Sequence, residues 1–361
     1  MNLNVLILPG DGIGAEVTRE AVRVLEHVAA KFNHTLSLSE GLLGGIAIHK
    51  TGAPFPAETE KLALASDATL MGAVGLPEFD NAPPDKRPER GLLGIRKTLG
   101  VYANLRPVRA YKALIDSSPL KNHLVEGADM IIVRELTGGI YYGTPRGIEG
   151  QGADERGTNT MTYSRAEIER VTRMAFLLAR NRRRKLTSVD KSNVLETSQL
   201  WRRVVTEIAF DYPDVALDHM LVDNCAMQLI LNPKRFDVVV MENMFGDILS
   251  DEGAVLAGSI GMLPSASIGE QNPSGAWVGL YEPVHGSAPD IAGQNKANPL
   301  GAIGSVAAMF EYSFKLMDEA AAVNKAMEAV LNEGRVTADL KPKGTPATTE
   351  QVGQAVCEAI G

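Results

Sequence analysis

Two aspartates four residues apart, Asp247 and Asp251, are the residues whose type and spacing point most directly to chemistry. Their segment predicts a helix beginning near Asn243, which would place both carboxylates on one helix face. Like charges held there repel unless a cation lies over them, and Mg²⁺ and Mn²⁺ prefer carboxylate oxygens. The apolar run 236–241 before them predicts a buried strand, and open α/β sheets place their sites beyond strand ends. The pair therefore indicates a divalent-metal site, with a solvated acidic helix face as the alternative.

Four arginines could supply complementary charge, namely Arg96, Arg106, Arg109 and Arg134. Arg106 lies on an extended segment, and Arg134 follows the apolar strand 130–133. An arginine at a strand end often serves only a structural ion pair. Several arginines near a metal site instead indicate a substrate with several carboxylates, because guanidinium binds carboxylate through two hydrogen bonds.

Three further positions could move protons or bind the metal. Lys191 follows the predicted strand 186–190 and would become a base if desolvation lowered its pKa, although a lysine there is usually a surface residue. Tyr141 and Tyr142 follow a glycine pair, and one of them could donate a proton. Asp223 begins a predicted helix, where it is either an N-cap or a third metal ligand.

A long polar loop, 281–299, precedes the apolar helix near the end of the chain, and loops of this kind are usually functional or disordered. His285 beside Gly286 leaves backbone room for a planar ring or a phosphate. Asp290 could accept hydrogen bonds from a ribose diol and would repel a 2′-phosphate. The early segment 10–14 has the spacing GxGxG rather than GxGxxG, so a tight strand-to-helix turn is favoured there over a pyrophosphate site.

The elements that must position these residues alternate between strand and helix, which predicts a mostly parallel sheet covered by helices. A length of 361 residues fits two domains. The segment 141–163 interrupts the alternation, and its glycines and turn signals predict an antiparallel ribbon. Such an arm often meets a partner subunit, because its edges must be covered.

Composition excludes several classes of protein. With 45% hydrophobic and 22% charged residues the chain is globular, and its net charge of −8 argues against general nucleic-acid binding. The two cysteines, Cys225 and Cys357, exclude a disulfide framework and suggest a reduced, cytoplasmic protein. The N-terminal apolar run is too short for a signal peptide or a membrane span.

Together the motifs resemble the β-decarboxylating dehydrogenases of the isocitrate/isopropylmalate family, and the isopropylmalate branch most closely. The resemblance extends from residue 6 to the last helices, and Ala15 and Leu76 depart from the usual family residues. The matching segments are 6–14, 91–97, 102–107, 133–141, 189–196, 247–251 and 285–298.

The resemblance implies a two-domain α/β fold without a true Rossmann GxGxxG site. Residues 1–101 and 258–361 would form a cofactor-binding domain. Residues 102–257 would form a dimerisation, metal and substrate domain with an arm near 141–163. The family also implies a homodimer in which Lys191 and Asp223 serve the active site of the other subunit.

The resemblance also assigns roles to individual residues. Tyr141 would be the proton donor and Lys191 the base or its orienter, while Asp223, Asp247 and Asp251 would bind Mg²⁺ or Mn²⁺. The substrate would be bound by Arg96, Arg106, Arg134, Asp223, Asn193 and Val194, with Glu89, Leu92 and Leu93 forming the specificity segment. NAD would be bound by His285, Gly286, Ser287, Ala288, Asp290, Ile291 and Asn298, with Asp290 and Ile291 selecting it.

The expected reaction is the NAD-dependent oxidative decarboxylation of (2R,3S)-3-isopropylmalate to 4-methyl-2-oxopentanoate and CO₂, in leucine biosynthesis. Relatives that act on tartrate, malate or isocitrate are the alternatives. An isocitrate enzyme would need a polar partner for a third carboxylate where this chain has Leu92 and Leu93. A non-catalytic regulatory subunit would have lost catalytic groups, and this chain retains them.

Overall fold

The structure, a computed structural model, describes residues 1–83, 86–272 and 275–361. They form two compact units. Unit 1 contains Met1–Val101, Ala110–Pro119 and Ala257–Gly361, and unit 2 contains Tyr102–Arg109 and Leu120–Leu256. The sequence prediction placed 110–119 in the second domain, and this was wrong. These residues pack within unit 1, where Leu114 is buried and the Ser117 hydroxyl donates to the carbonyl of Leu340 at 2.8 Å.

Unit 1 is built on five strands in the order β2-β1-β3-β12-β11. The first four are parallel, and β11 runs antiparallel to β12. Elements are numbered along the whole chain. The strands are β1 (Asn2–Gly10), β2 (Thr35–Glu40), β3 (Ala68–Ala73), β11 (Pro264–Gln271) and β12 (Trp277–Pro283). The helices are α1 (Gly14–Lys31), α2 (Gly45–Thr51), α3 (Ala57–Ala65), α4 (Glu89–Thr98), α10 (Leu300–Tyr312), α11 (Met317–Glu333) and α12 (Thr349–Ile360).

Helix α1 illustrates why the apolar pattern determines the fold of unit 1. Its apolar side chains recur at helical spacing, so they form one stripe that packs inward. All five stripe residues are fully buried: Val17, Ala21, Val24, Leu25 and Val28. The helix therefore covers the sheet, as its sequence predicts.

Five strands of unit 2 are hydrogen-bonded to one another in the order β4-β5-β10-β8-β9. Strand β4 is antiparallel to β5, and the other neighbours are parallel. The strands are β4 (Ala103–Arg109), β5 (Asp129–Glu135), β8 (Lys185–Asp190), β9 (Ala216–Leu221) and β10 (Val238–Met241). The helices are α5 (Asn122–Val125), α6 (Arg165–Arg180), α7 (Glu196–Ala209), α8 (Val222–Leu231) and α9 (Asn243–Ala254).

The parallel strands of unit 2 bring the predicted functional residues to one edge. Because β5, β8, β9 and β10 run in one direction, their carboxyl ends meet at the same side of the sheet. Arg134 lies at the end of β5, Lys191 follows β8, Asp223 follows β9, and Asp247 lies on the helix after β10. The mostly parallel α/β class predicted from the sequence is confirmed. The antiparallel pairings of β4 with β5 and of β11 with β12 were not predicted.

The segment 141–163 contains a short antiparallel ribbon, formed by β6 (Gly147–Glu149) and β7 (Arg156–Thr158). All residues of both strands are exposed. The ribbon is thus much shorter than the segment in which it was expected. Among the described residues, no helix combines the length and the apolar character needed to cross a membrane.

Candidate active site

Asp247 is the centre of a polar cluster within unit 2. One carboxylate oxygen accepts a hydrogen bond from Nη1 of Arg134, and the other accepts one from the hydroxyl of Tyr141 at 3.0 Å. Nη2 of Arg106 lies 3.9 Å from the same carboxylate. Asp247 therefore brings together two of the predicted substrate arginines and the predicted proton donor.

Arg106 is buried and is held by three side chains. Its Nε donates to Oδ1 of Asn104 at 2.8 Å, and its Nη1 donates to the hydroxyl of Ser250 at 2.6 Å. Nη1 also lies 3.2 Å from Oδ1 of Asp251. A guanidinium fixed in this way loses little conformational entropy when it binds an anion.

Arg134 is also buried, and the close approach of helix α9 fixes its position. Its Nε donates to Oδ1 of Asn243 at 3.0 Å, and its guanidinium lies 5.9 Å from the ring centre of Tyr141. A Cβ atom at Gly246 would come within 2.6 Å of the Arg134 side chain. Only glycine allows this approach, which brings the acidic helix against the arginine.

Tyr141 has the properties of a proton donor. Its side chain is 37% exposed. Partial burial, followed by the charge of Asp247, raises the pKa of the Tyr141 hydroxyl above its ordinary value of 10.0. The hydroxyl therefore keeps its proton at neutral pH.

Lys191 and Asp223 form a second polar pair in unit 2. Nζ of Lys191 donates to Oδ1 of Asp223 at 2.7 Å, and this hydrogen bond lowers the pKa of the Asp223 carboxyl. Asp223 is the second residue of α8, whose N-cap is Leu221, so the N-cap alternative was wrong. The turn after β8 is held by buried Asp190, which accepts two hydrogen bonds from Arg202 at 2.8 and 3.0 Å.

Asn193 and Val194, also predicted to contact substrate, are exposed on this turn. The amide of Val194 donates to the carbonyl of Lys191 at 3.0 Å. The turn therefore presents both side chains to solvent next to Lys191, and neither is needed to fill the core.

The three predicted metal ligands are not gathered within one chain. Among the described residues, no group of three or more His, Cys, Asp or Glu side chains is placed to hold a metal ion. Asp247 and Asp251 lie one helical turn apart, whereas Asp223 pairs with Lys191. The two carboxylates of α9 are hard oxygen donors of the kind that Mg²⁺ and Mn²⁺ prefer, and a complete site needs ligands beyond this pair.

Arg96, the third predicted carboxylate-binding arginine, lies in unit 1 on α4. Its Nη2 donates to Oε1 of Glu282 at 2.8 Å, and both side chains are nearly buried. Its Nε is buried and has no hydrogen-bond partner among the described residues. Glu282 was not predicted from the sequence, where its only signal is an acidic residue at the end of an apolar strand.

The residues predicted to set specificity, Glu89, Leu92 and Leu93, lie on the same helix as Arg96. Leu92 packs against the core cluster that includes Leu8 and Leu43, whereas Leu93 is half-buried and is not part of the described cluster. Glu89 is exposed. Core packing thus accounts for Leu92 but not for Leu93.

The glycine-rich turn after β1 seats the late polar loop. The amide of Ile13 donates to the carbonyl of Ser287 at 2.8 Å, and a Cβ atom at Gly12 would lie 2.0 Å from that oxygen. Glu16 on α1 accepts hydrogen bonds from the amides of Gly293 and Asn295. The amide of Gly14 donates to the carbonyl of Asp11 at 2.9 Å, so the amides of Ile13 and Gly14 are both engaged within the protein, which agrees with the turn predicted here instead of a pyrophosphate site.

His285 is the residue of this loop best suited to a ligand. It is buried, and burial lowers the pKa of its imidazole, so the ring is neutral at pH 7. Nδ1 lies 2.9 Å from the carbonyl of Gly286, which makes Nδ1 the donor and Nε2 an acceptor. Nε2 has no partner among the described residues. An orphaned buried acceptor fits a ligand with an N–H or O–H donor.

The other predicted cofactor residues line the same loop. Asp290 and Gly286 are exposed, and Ala288 and Ile291 are half-buried. Asn298 is buried and bridges two elements, because its Nδ2 donates to Asp339 at 3.0 Å and its Oδ1 accepts from the Leu300 amide at 3.0 Å. Asn298 therefore stabilises the conformation of the loop.

Solved structures share this fold over nearly the whole chain. An isocitrate dehydrogenase from Methylococcus capsulatus matches with a TM-score of 0.86 and 33% identity, covering 99% of both chains. A β-decarboxylating dehydrogenase from Thermococcus kodakarensis matches with a TM-score of 0.79 and 34% identity, covering 99% of this chain and 96% of that one.

Sequence relatives are closer. The 3-isopropylmalate dehydrogenase of Geobacillus kaustophilus is 56% identical over 99% of this chain and 96% of its own length. That of Aquifex aeolicus is 54% identical over 94% of this chain and 92% of its own length. The model of the isocitrate/isopropylmalate dehydrogenase family matches residues 4–356. The chain therefore belongs to the isocitrate/isopropylmalate dehydrogenase family.

Proposed function

We propose that this chain is an NAD-dependent 3-isopropylmalate dehydrogenase. It oxidises and decarboxylates (2R,3S)-3-isopropylmalate to 4-methyl-2-oxopentanoate and CO₂ in leucine biosynthesis. The observation that carries the proposal is the cluster in which Asp247 joins the buried Arg134 to the hydroxyl of Tyr141. The relatives with 56% and 54% identity carry this activity in their names.

The buried arginines bind and orient the substrate. Arg106 and Arg134 each keep a rigid guanidinium that matches a carboxylate through two hydrogen bonds. The family resemblance extends this role to Arg96, whose orientation is fixed by Glu282. Malate-type substrates carry two carboxylates, so a set of arginines accounts for their recognition.

Lys191 and Tyr141 move the protons. Lys191 takes the proton of the 2-hydroxyl, directly or through a neighbouring group. Tyr141 delivers its hydroxyl proton to the enolate carbon left after CO₂ departs, and its raised pKa keeps this proton available. Arg134 beside Tyr141 favours the phenolate that remains after the proton has left.

A divalent cation and NAD complete the chemistry. Asp247 and Asp251 would hold Mg²⁺ or Mn²⁺, and the loop with His285 and Asp290 would hold NAD. When bound, the cation polarises the 2-oxo group and NAD accepts the hydride from C2. The acceptor Nε2 of His285 fits a donor group of an adenine ring, and the exposed Asp290 carboxylate suits a ribose diol.

The homodimer is proposed from an exposed apolar surface on α8 and α9. Met227, Leu231 and Ile248 are 54%, 61% and 59% exposed, although each is a large apolar side chain. Met227 and Leu231 are four residues apart and lie on one face of α8. A second copy of the chain would cover this surface, and its Lys191 and Asp223 would complete the metal and proton-transfer site.

Complementation tests the shared site. A Lys191→Ala variant and a Tyr141→Phe variant should each be nearly inactive. After subunit exchange, a mixture should recover activity, because one site of each hybrid dimer has both residues intact. Absence of recovery after exchange, verified by mass spectrometry of differently labelled subunits, would argue against sharing.

A second candidate substrate is isocitrate, since a solved isocitrate dehydrogenase shares the fold. It is disfavoured because Leu92 and Leu93 stand where a third carboxylate would need a polar partner, and burying an unpaired charge is costly. An NADH-formation assay should compare 3-isopropylmalate, isocitrate, malate and tartrate with Mg²⁺ or Mn²⁺. We expect 3-isopropylmalate to have the highest kcat/KM, and equal turnover of isocitrate would refute the assignment.

A further inference from the structure

A buried cluster of two carboxyls and a tyrosine lies behind the acidic helix of unit 2. The hydroxyl of Tyr163 lies 3.2 Å from Oε2 of Glu135 and 3.4 Å from Oε2 of Glu242. It also accepts a hydrogen bond from the amide of Asn243 at 3.0 Å. The reaction as described above uses none of these groups.

Both carboxyls of the cluster lie at an end of an element that carries a predicted functional residue. Glu135 ends β5, directly after Arg134. Glu242 is the N-cap of α9 and accepts from the amides of Met244 and Phe245 at 3.0 and 2.9 Å. Its position sets the start of the helix that carries Asp247.

The cluster also holds the loop that carries Tyr141. Glu135 accepts from the amide of Gly138 at 2.8 Å, and the amide of Gly139 donates to the carbonyl of Thr162 at 3.0 Å. A Cβ atom at Gly138 would lie 2.6 Å from the Tyr163 ring, and one at Gly139 would lie 2.7 Å from its hydroxyl. The glycine pair therefore allows the loop to lie directly on Tyr163.

Asn243 connects this cluster to Arg134. Its backbone amide is bonded to Tyr163, while its side chain accepts from Nε of Arg134 at 3.0 Å and donates to the carbonyl of Gly138 at 3.2 Å. Asn243 thus links the Tyr163 hydroxyl both to Arg134 and to the loop that carries Tyr141.

Burial makes this arrangement sensitive to the loss of one hydrogen bond. Glu135 is fully buried, and burial raises the pKa of Glu135 and of Glu242. Arg170 on α6 lies beside the cluster, with Nη2 3.9 Å from Oε1 of Glu135. If the hydroxyl is removed, the Asn243 amide and the two carboxyl oxygens lose a shared partner in a buried region, where an unsatisfied polar group is costly.

We infer that Tyr163, with Glu135 and Glu242, is a positioning residue that holds the start of α9, and so Asp247, in register with Arg134 and Tyr141. This rests on the proposed function, in which Asp247 binds the cation. Groups behind a metal ligand orient it, and their loss typically weakens metal binding by about 10-fold or more.

The test compares Tyr163→Phe with Tyr281→Phe. Tyr281 is a matched control because it is also a buried tyrosine, with its hydroxyl 2.7 Å from that of Ser313 in unit 1. Binding of Mn²⁺ alone is measured on the full-length protein by the electron paramagnetic resonance signal of free Mn²⁺. Hydrogen exchange of the amides at 243–248 and the melting temperature are measured on the same samples.

We expect Tyr163→Phe to weaken Mn²⁺ binding by about 10-fold, to lower kcat, and to speed exchange at the start of α9. Tyr281→Phe should leave Mn²⁺ binding and α9 exchange unchanged, even if its melting temperature falls. A purely structural role would lower the melting temperature of Tyr163→Phe without changing Mn²⁺ binding or α9 exchange, and that result would overturn the inference. If the unmodified protein binds no Mn²⁺, the proposed function fails, while unchanged α9 exchange in Tyr163→Phe would separately refute the positioning role.

Discussion

Replacing Asp247 with asparagine should separate the stability of the chain from its activity. The substitution keeps the size of the side chain and the acceptor for the Tyr141 hydroxyl, but it removes the negative charge that two buried arginines face. Asp247 accepts a hydrogen bond from Arg134 and lies 3.9 Å from Arg106. The variant therefore loses a charge-assisted interaction in the free protein and a charged ligand in the loaded one.

The two losses differ in magnitude. A hydrogen bond to a charged group contributes about 1.5–3 kcal/mol when buried. Because the Asp247 side chain is 36% exposed, solvent screening reduces this to about 1 kcal/mol of folding stability. A lost cation ligand removes several kcal/mol of transition-state stabilisation, and about 4 kcal/mol corresponds to roughly a 10³-fold loss of rate.

The assay pairs denaturant unfolding with NADH formation at saturating substrate. Asp214→Asn is the matched control, because Asp214 is also 36% exposed and accepts from an arginine, Arg180, at 2.7 Å on the surface. We expect Asp214→Asn to retain full turnover, whereas Asp247→Asn loses about three orders of magnitude while remaining folded. Activity of Asp247→Asn near that of the unmodified chain, or activity of the unmodified chain that survives EDTA, would refute a cation site at α9.

Three further outcomes follow from the same contacts. Leu93→Ser should lower kcat/KM for 3-isopropylmalate by about 10-fold and leave kcat/KM for malate unchanged. Leu92→Ser should chiefly lower the stability of the fold, because Leu92 packs on the core. Equal effects of the two variants on kcat/KM would contradict this division. Asp290→Lys combined with Ile291→Tyr should shift preference from NAD⁺ toward NADP⁺ in kcat/KM, and an unmodified enzyme that uses both equally would argue against the role of Asp290. Burial lowers the pKa of His285 in the folded chain below its ordinary value of 6.5. As the pH falls below 6.5, the imidazole therefore becomes protonated in the unfolded chain before it does in the folded chain, and the free energy of unfolding decreases. Between pH 7 and about 5, the free energy of unfolding should therefore decrease less for His285→Gln than for the unmodified chain. If the free energy of unfolding of both proteins changes equally with pH, His285 makes no such contribution.

Much of the fold followed from local pattern. The helical stripe of α1, the apolar strand before α9 and the alternation of strands and helices all depend on side-chain period, which neighbours in sequence determine. The same is true of the short turn at 10–14. The bounds of the units were harder to predict from the sequence. The assignment of 110–119 to unit 1 depends on a contact with Leu340, which is far away in sequence.

The candidate site likewise has features that the sequence predicts and features that depend on the fold. Sequence by itself determined which residue types were available: the i, i+4 carboxylates of α9, the arginines, the tyrosine after a glycine pair, and the lysine after a strand. These are properties of short segments and of their resemblance to a family.

Only the tertiary structure decided how these groups are paired. The link from Asp247 to both Arg134 and Tyr141, the separation of Asp223 from the α9 acids, the pairing of Arg96 with Glu282, and the buried hydroxyl of Tyr163 all join distant parts of the chain. The physical reason is that a buried polar group must find a partner wherever the packed sheet places one, and sequence spacing carries no record of those distances.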